Sequence, residues 1–171
     1  NILKSAGAVL GKQTVINYVG YMMDSYMLFT LQNYAAKLVE KETSPKYYFM
    51  DTGLLGLMLM DCSSAQLENL VAIELIRRYG RENVFYFEKN VEIDFYVPEE
   101  KLAIQVSLQV LDQIDTRERE IGAFVKLKNF IGDATCLLIT NSEEEELDYE
   151  GVHVSVVPVW KWLLQNRKQD I

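Results

Sequence analysis

Residues 91–107 read VEIDFYVPEEKLAIQVS, two strand-like runs joined by the turn-forming Pro98-Glu99-Glu100. Strand alternation sends Val91, Ile93, Phe95 and Val97 to one face and Glu92, Asp94 and Tyr96 to the other. In the second run Leu102, Ile104, Val106 and Leu108 share one face, and Ala103, Gln105, Ser107 and Gln109 share the opposite one. Two polar faces on neighbouring strands therefore line one cleft. Glu92 and Asp94, two residues apart, stand as one face of a sheet collects metal ligands, yet the second strand offers only Gln105 and Ser107 there.

Working outward, NVFYFEK precedes these runs as a third strand, and LENLVAIELIRRYG before it is a helix closed by Gly80. Leu67, Leu70, Val71 and Leu75 form its buried stripe. Glu68 lies three, four and seven positions before Val71, Ala72 and Leu75, at the edge of that stripe, where a carboxylate is costly unless paired or metal-bound. Further upstream, KYYFM is a short strand after Pro45, and Asp51-Thr52-Gly53 is a turn capping a helix from Leu54. GKQTVINYVGYMMDSYMLFTL places Val15, Tyr18, Val19, Met22, Met23 and Tyr26 at helical spacing, and YMLFTLQNY then suits a strand or hairpin. Helix followed by hairpin is how a winged helix ends. The exposed residues for DNA reading are Lys12, Gln13, Thr14 and Asn17, a sparse set that favours a packing module.

Downstream, Asp115 is expected to cap a helix, TREREIGAFVKLKNFIG, with Glu118 completing a capping box. ATCLLIT is a buried strand, NSEEEELDYEG an acidic surface loop, VHVSVVPV another strand and WKWLLQNR a closing helix. The order places the larger part of the chain among layered α/β folds.

Composition narrows the function. The 171 residues, 49% hydrophobic, suffice for a proper core. A net charge of −8 disfavours generic binding to nucleic acid or anionic membranes. Residues 1–60 carry five lysines against four acids, a balance of +1, and residues 61–171 carry 12 basic and 21 acidic residues, a balance of −9. Nucleic acid, if touched, belongs to the N-terminal part. Cys62, Cys136 and His153 lack the spacing of a zinc site, so two unpaired buried thiols are expected. No run reaches the ~18 apolar residues of a membrane span, and no GxxxxGK[ST] phosphate loop occurs. With neither an initiator Met nor a signal sequence, the expectation is a fragment of a longer cytoplasmic protein.

The stretches TVINYVGYMMDSYMLF, PKYYFMDTGLLG, LENLVAIEL, VEIDFYV, AIQVS, TREREI and VPVWKWLL, in that order, resemble the C-terminal region of predicted bacterial and archaeal AAA+ ATPases. There a winged-helix segment precedes a domain similar to PD-(D/E)XK nucleases. The resemblance implies a partial winged helix at 1–45 and a restriction-endonuclease-like three-layer α/β/α domain with a mixed sheet at 46–171. It implies ATP in an absent N-terminal domain, that domain as a partner, and assembly into homo-oligomeric rings. Glu68 matches the family's helix glutamate and Asp94 its strand aspartate, both Mg²⁺ or Mn²⁺ ligands. The acid-x-lysine positions fall on Gln105 and Ser107. A neutral amide is a poor Mg²⁺ ligand, and serine carries no charge to meet the developing charge on a phosphate.

Catalysis therefore needs a relocated cation, with Lys89, Arg117 and Arg119 the nearest by topology, while Lys101 points to solvent. Glu92 is placed to replace the lost carboxylate. Two expectations compete: a non-catalytic protein or nucleic-acid interaction module with a degenerate site, with no cofactor of its own, and a metal-dependent deoxyribonuclease using Glu68, Glu92, Asp94 and Gln105.

Overall fold

The computed structural model describes residues 11–37, 44–58, 63–111 and 114–165. Its order is α1 (Lys12–Asp24), β1 (Leu28–Asn33), β2 (Lys46–Phe49), α2 (Gly53–Met58), α3 (Ser63–Tyr79), β3 (Phe85–Glu88), β4 (Glu92–Val97), β5 (Leu102–Val106), α4 (Ile114–Ile131), β6 (Thr135–Thr140), β7 (Glu145–Tyr149), β8 (Val152–Pro158) and α5 (Val159–Gln165). The eight strands form one mixed sheet in the order β2-β1-β3-β4-β5-β6-β8-β7. Its β5, β6 and β8 run parallel to one another. Parallel neighbours need a long crossover, and α4 supplies the one between β5 and β6.

Each face of the sheet is covered. On one side Ile121, Phe124 and Leu127 of α4 pack against Tyr96, Ala103, Leu138 and Val154. On the other, Val71 and Leu75 of α3 and Trp162 of α5 pack against Phe95, Ile104 and Ile139. The α/β fold with three α/β/α layers expected from the sequence is therefore observed. Burial on both faces explains why ATCLLIT reads as a continuous apolar run rather than an alternating one. Arg78 reinforces the α3–α5 contact, with its guanidinium 4.2 Å from the Trp162 ring and bonded to Glu74 at 2.7 Å.

The expected division at residue 45 falls inside the antiparallel pairing of β1 with β2, where Leu31 stands opposite Lys46. β1 also runs parallel to β3, so it belongs to the same sheet as the downstream strands. The apolar stripe of α1 forms as a helix, but none of its residues is buried. Tyr26, expected to continue that stripe, lies beyond the helix with φ 57° and is 83% exposed.

Two local expectations are corrected. Asp115 sits inside the first turn of α4 rather than capping it, since the helix begins at Ile114. The acidic segment after β6 contains the edge strand β7, closed onto β8 by a two-residue turn in which Glu150 and Gly151 both have positive φ. Glu143 is not a solvated loop residue: its carboxylate accepts the backbone N–H groups of Val110 (2.6 Å) and Leu111 (3.2 Å). Cys136 is a buried free thiol, pushed up to about 11 by burial, and Cys62 lies outside the described residues. Among the described residues no helix is long and apolar enough to cross a membrane.

Candidate functional site

The site begins with an irregularity in β4. Phe85 to Phe87 spans two steps along β3, but their partners Tyr96 and Ile93 lie three apart, so Asp94 and Phe95 together oppose Tyr86. Such a bulge re-aims side chains. Strict alternation put Ile93 and Phe95 on one face. Instead Ile93 enters the α4-side core and Phe95 the α3-side core.

The pairing of β4 with β5 runs from Val97–Leu102 to Phe95–Ile104 and stops there. Side chains then satisfy the backbone groups that a longer ladder would have paired. The N–H of Val106 donates to Asp94 Oδ2 at 2.9 Å, and the N–H of Asp94 donates to Gln105 Oε1 at 2.8 Å. Gln105 Nε2 donates in turn to the Glu92 carbonyl at 3.2 Å. Gln105 is thus a buried strap across two strands, with both ends of its amide engaged.

An open cleft of about 460 Å³ lies over this strap. It is lined by Glu68 from α3, Val91, Glu92 and Asp94 at β4, Gln105 and Val106 from β5, and Arg119, Glu120, Ala123 and Lys126 from α4. The structure therefore brings Glu68, Glu92, Asp94 and Gln105 to one cleft. Ser107 is not among the lining residues, and its hydroxyl donates to the Gln109 carbonyl at 3.2 Å.

Lys46 and Tyr48 from β2 reach the same acids. Lys46 Nζ is 2.6 Å from Glu92 Oε1 and 3.8 Å from Asp94 Oδ1, and 5.3 Å from the centroid of the Tyr86 ring. Burial works against its charge, but the bond to Glu92 and the fields of Asp94, Glu68 and Glu92 outweigh it, and its pKa rises. The Tyr48 hydroxyl donates to Glu68 Oε1 at 2.8 Å. Burial, then the Glu68 charge, hold that phenol well above its usual range.

Asp94 is raised to about 7. Burial is the largest cause and the Glu68 carboxylate the next; Lys46 and the Val106 N–H pull the other way without cancelling them.

Neither Lys46 nor Tyr48 was singled out from the sequence. KYYF carried the signal, since positions two apart share a strand face, but nothing local says that side chains of β2, separated from β4 by two strands of the sheet, reach Glu68, Glu92 and Asp94. Of the cations considered, Arg119 does line the cleft, where it bonds Glu120 at 2.6 Å. Arg117 is not among the lining residues. Lys89 instead lies 5.1 Å from the Phe130 ring centroid, and Lys101 is exposed in the β4–β5 turn with φ 46°. On α1, Lys12 is exposed and Gln13 donates to Asn17 at 3.0 Å; Thr14 is half-buried.

The residues present do not fit a divalent metal. An ammonium stands between two of the proposed ligands, and the amide at the third position is turned to backbone groups. Among the described residues no group of three or more His, Cys, Asp or Glu side chains is arranged to hold a metal ion.

Comparison with known proteins adds sequence relatives. A family model described as "Domain of unknown function (DUF8612)" matches residues 1–65. The chain is 32% identical over 174 residues to "Uncharacterized protein MJ1544" of Methanocaldococcus jannaschii, a match that covers 96% of this chain and 39% of the relative. The chain therefore spans well under half the length of that relative. No solved structure matches it.

Proposed function

We propose that this chain is the C-terminal accessory region of an AAA+ ATPase, in which a nuclease-like α/β/α scaffold with a degenerate site serves as an interaction module. Its partner on this reading is the ATPase domain of the same protein, where ATP would bind, with ring assembly following from that domain. Support for the scaffold comes from the ordered motifs and from Glu68, Asp94 and Gln105 meeting at one cleft. The observation that carries the absence of catalysis is the Gln105 strap. The side chain at the acid of the family's acid-x-lysine pair is spent on the β4 backbone, and no lysine stands two residues on.

The charge balance agrees. An acidic surface repels the phosphate backbone, and α1 offers only Lys12 as a cation, so a winged-helix role in DNA reading draws little support.

The test is cleavage of supercoiled and single-stranded DNA with Mg²⁺ or Mn²⁺, beside Asp94→Ala purified identically. Neither protein is expected to cut. Cleavage that disappears in Asp94→Ala would replace the module reading with a variant deoxyribonuclease.

A further inference from the structure

We infer that Lys46 is the resident counter-cation of the cleft: its ammonium holds the place between Glu92 and Asp94 that a divalent ion would need, and so keeps Mg²⁺ and Mn²⁺ out. This rests on reading the cleft as a nuclease-derived site.

The geometry supports a fixed cation rather than a passing surface contact. Lys46 belongs to β2, and its register opposite the fully buried Leu31 anchors the backbone in the sheet. The side chain is only 25% exposed. Three neighbours fix its end: Glu92 at 2.6 Å, Asp94 at 3.8 Å and the Tyr86 ring. A solvated lysine forming an ordinary surface pair has none of this enclosure.

One oxygen of each neighbouring carboxylate is also engaged. Asp94 Oδ2 takes the Val106 N–H, and Glu68 Oε1 takes the Tyr48 hydroxyl. On α4, Glu120 is bonded to Arg119. A metal ion entering here competes with the ammonium for Glu92 and Asp94, shares carboxylates that already accept hydrogen bonds, and still lacks an anionic ligand at Gln105. Mg²⁺, which demands near-ideal octahedral oxygen ligation and gives up water reluctantly, is poorly served by such a site. Lysine thus supplies by a covalent tether one positive charge where the family's metal would be coordinated, set between two of the converging carboxylates.

The experiment is Mn²⁺ titration by calorimetry of the wild-type chain, Lys46→Gln, Lys46→Ala and the double variant Lys46→Gln/Asp94→Asn, each checked for folding by circular dichroism. Removing the ammonium is expected to tighten Mn²⁺ binding about tenfold or more, with the gain abolished by Asp94→Asn. Equal affinity in wild type and the folded Lys46 variants would overturn the inference, as would no gain in the variants. The wild-type chain alone supplies an independent reading: the Asp94 and Val106 amide resonances should stay unbroadened at about 1 mM Mn²⁺. Paramagnetic broadening there overturns the role of Lys46 even if no variant folds. DNA cleavage tests the scaffold reading separately, since tight wild-type Mn²⁺ binding without cleavage would remove only the role given to Lys46.

Discussion

The hydroxyl of Tyr48 donates to Oε1 of Glu68 across 2.8 Å, joining β2 to α3 at the rim of the cleft. Twenty residues separate the two in sequence, and the bond answers the question that Glu68 raises as a carboxylate beside an apolar stripe. Next along the same interface, Asn69 donates to the Phe49 carbonyl and accepts the Phe49 N–H, so α3 grips the strand through side chain and backbone alike.

Tyr48→Phe should therefore cost stability without changing the packing. The lost hydrogen bond involves a charged acceptor, and about 1.5–3 kcal/mol is expected. Urea denaturation of the two proteins, at equal slope, checks this; an unchanged midpoint would show that water replaces the hydroxyl fully.

Asp94 makes stability fall as pH rises. Its carboxyl titrates at about 7 in the folded chain against an ordinary 3.8, so the folded state binds the proton more tightly. The contribution is fully present below the ordinary value and is lost as pH climbs through about 7. Asp94→Asn should flatten the stability profile between pH 5 and 8. The check is a series of thermal unfolding curves across that interval for both proteins.

Glu74 acts in the opposite sense. Its bonds to Arg77 and then Arg78 hold its carboxyl below the usual range, against the effect of burial. That stabilisation is present above the ordinary 4.5 and disappears as pH falls through the lowered folded value. Glu74→Ala removes the carboxylate bonded to Arg78 Nε, whose side chain is 7% exposed and keeps its bond to the Trp162 carbonyl, and should destabilise by about 3 kcal/mol. Chemical denaturation at pH 7 measures the loss, which should shrink at acid pH.

Gln105→Glu tests the strap. The new carboxylate can still accept the Asp94 N–H but cannot donate to the Glu92 carbonyl, and it adds a like charge beside Asp94. A loss of about 2 kcal/mol at pH 8, smaller at pH 5 where the acids share protons, is expected from denaturation curves. No loss at pH 8 would show that the amide is dispensable.

The layered fold was legible because its cause is periodic. LENLVAIEL announces a helix through its apolar spacing and ATCLLIT a doubly covered strand through its short continuous apolar run, and burial on both faces of the sheet agrees with both. Glu68, Asp94 and Gln105 were legible through motif order. The edge strand β7 was not, since an edge strand facing water needs few apolar residues, and only Leu147 in EELDY is buried.

By itself, then, the sequence determined the α/β layering and offered the carboxylates of α3 and β4, because those depend on local period and chain order. Tertiary structure alone decided what neutralises them. The placement of β2 beside β1 carries Lys46 to Glu92, 46 positions later in the chain, and to Asp94, and the bulge opposite Tyr86 turns Asp94 to receive it. Both depend on strand register between distant segments, and register is a property of the assembled sheet rather than of any one of its strands.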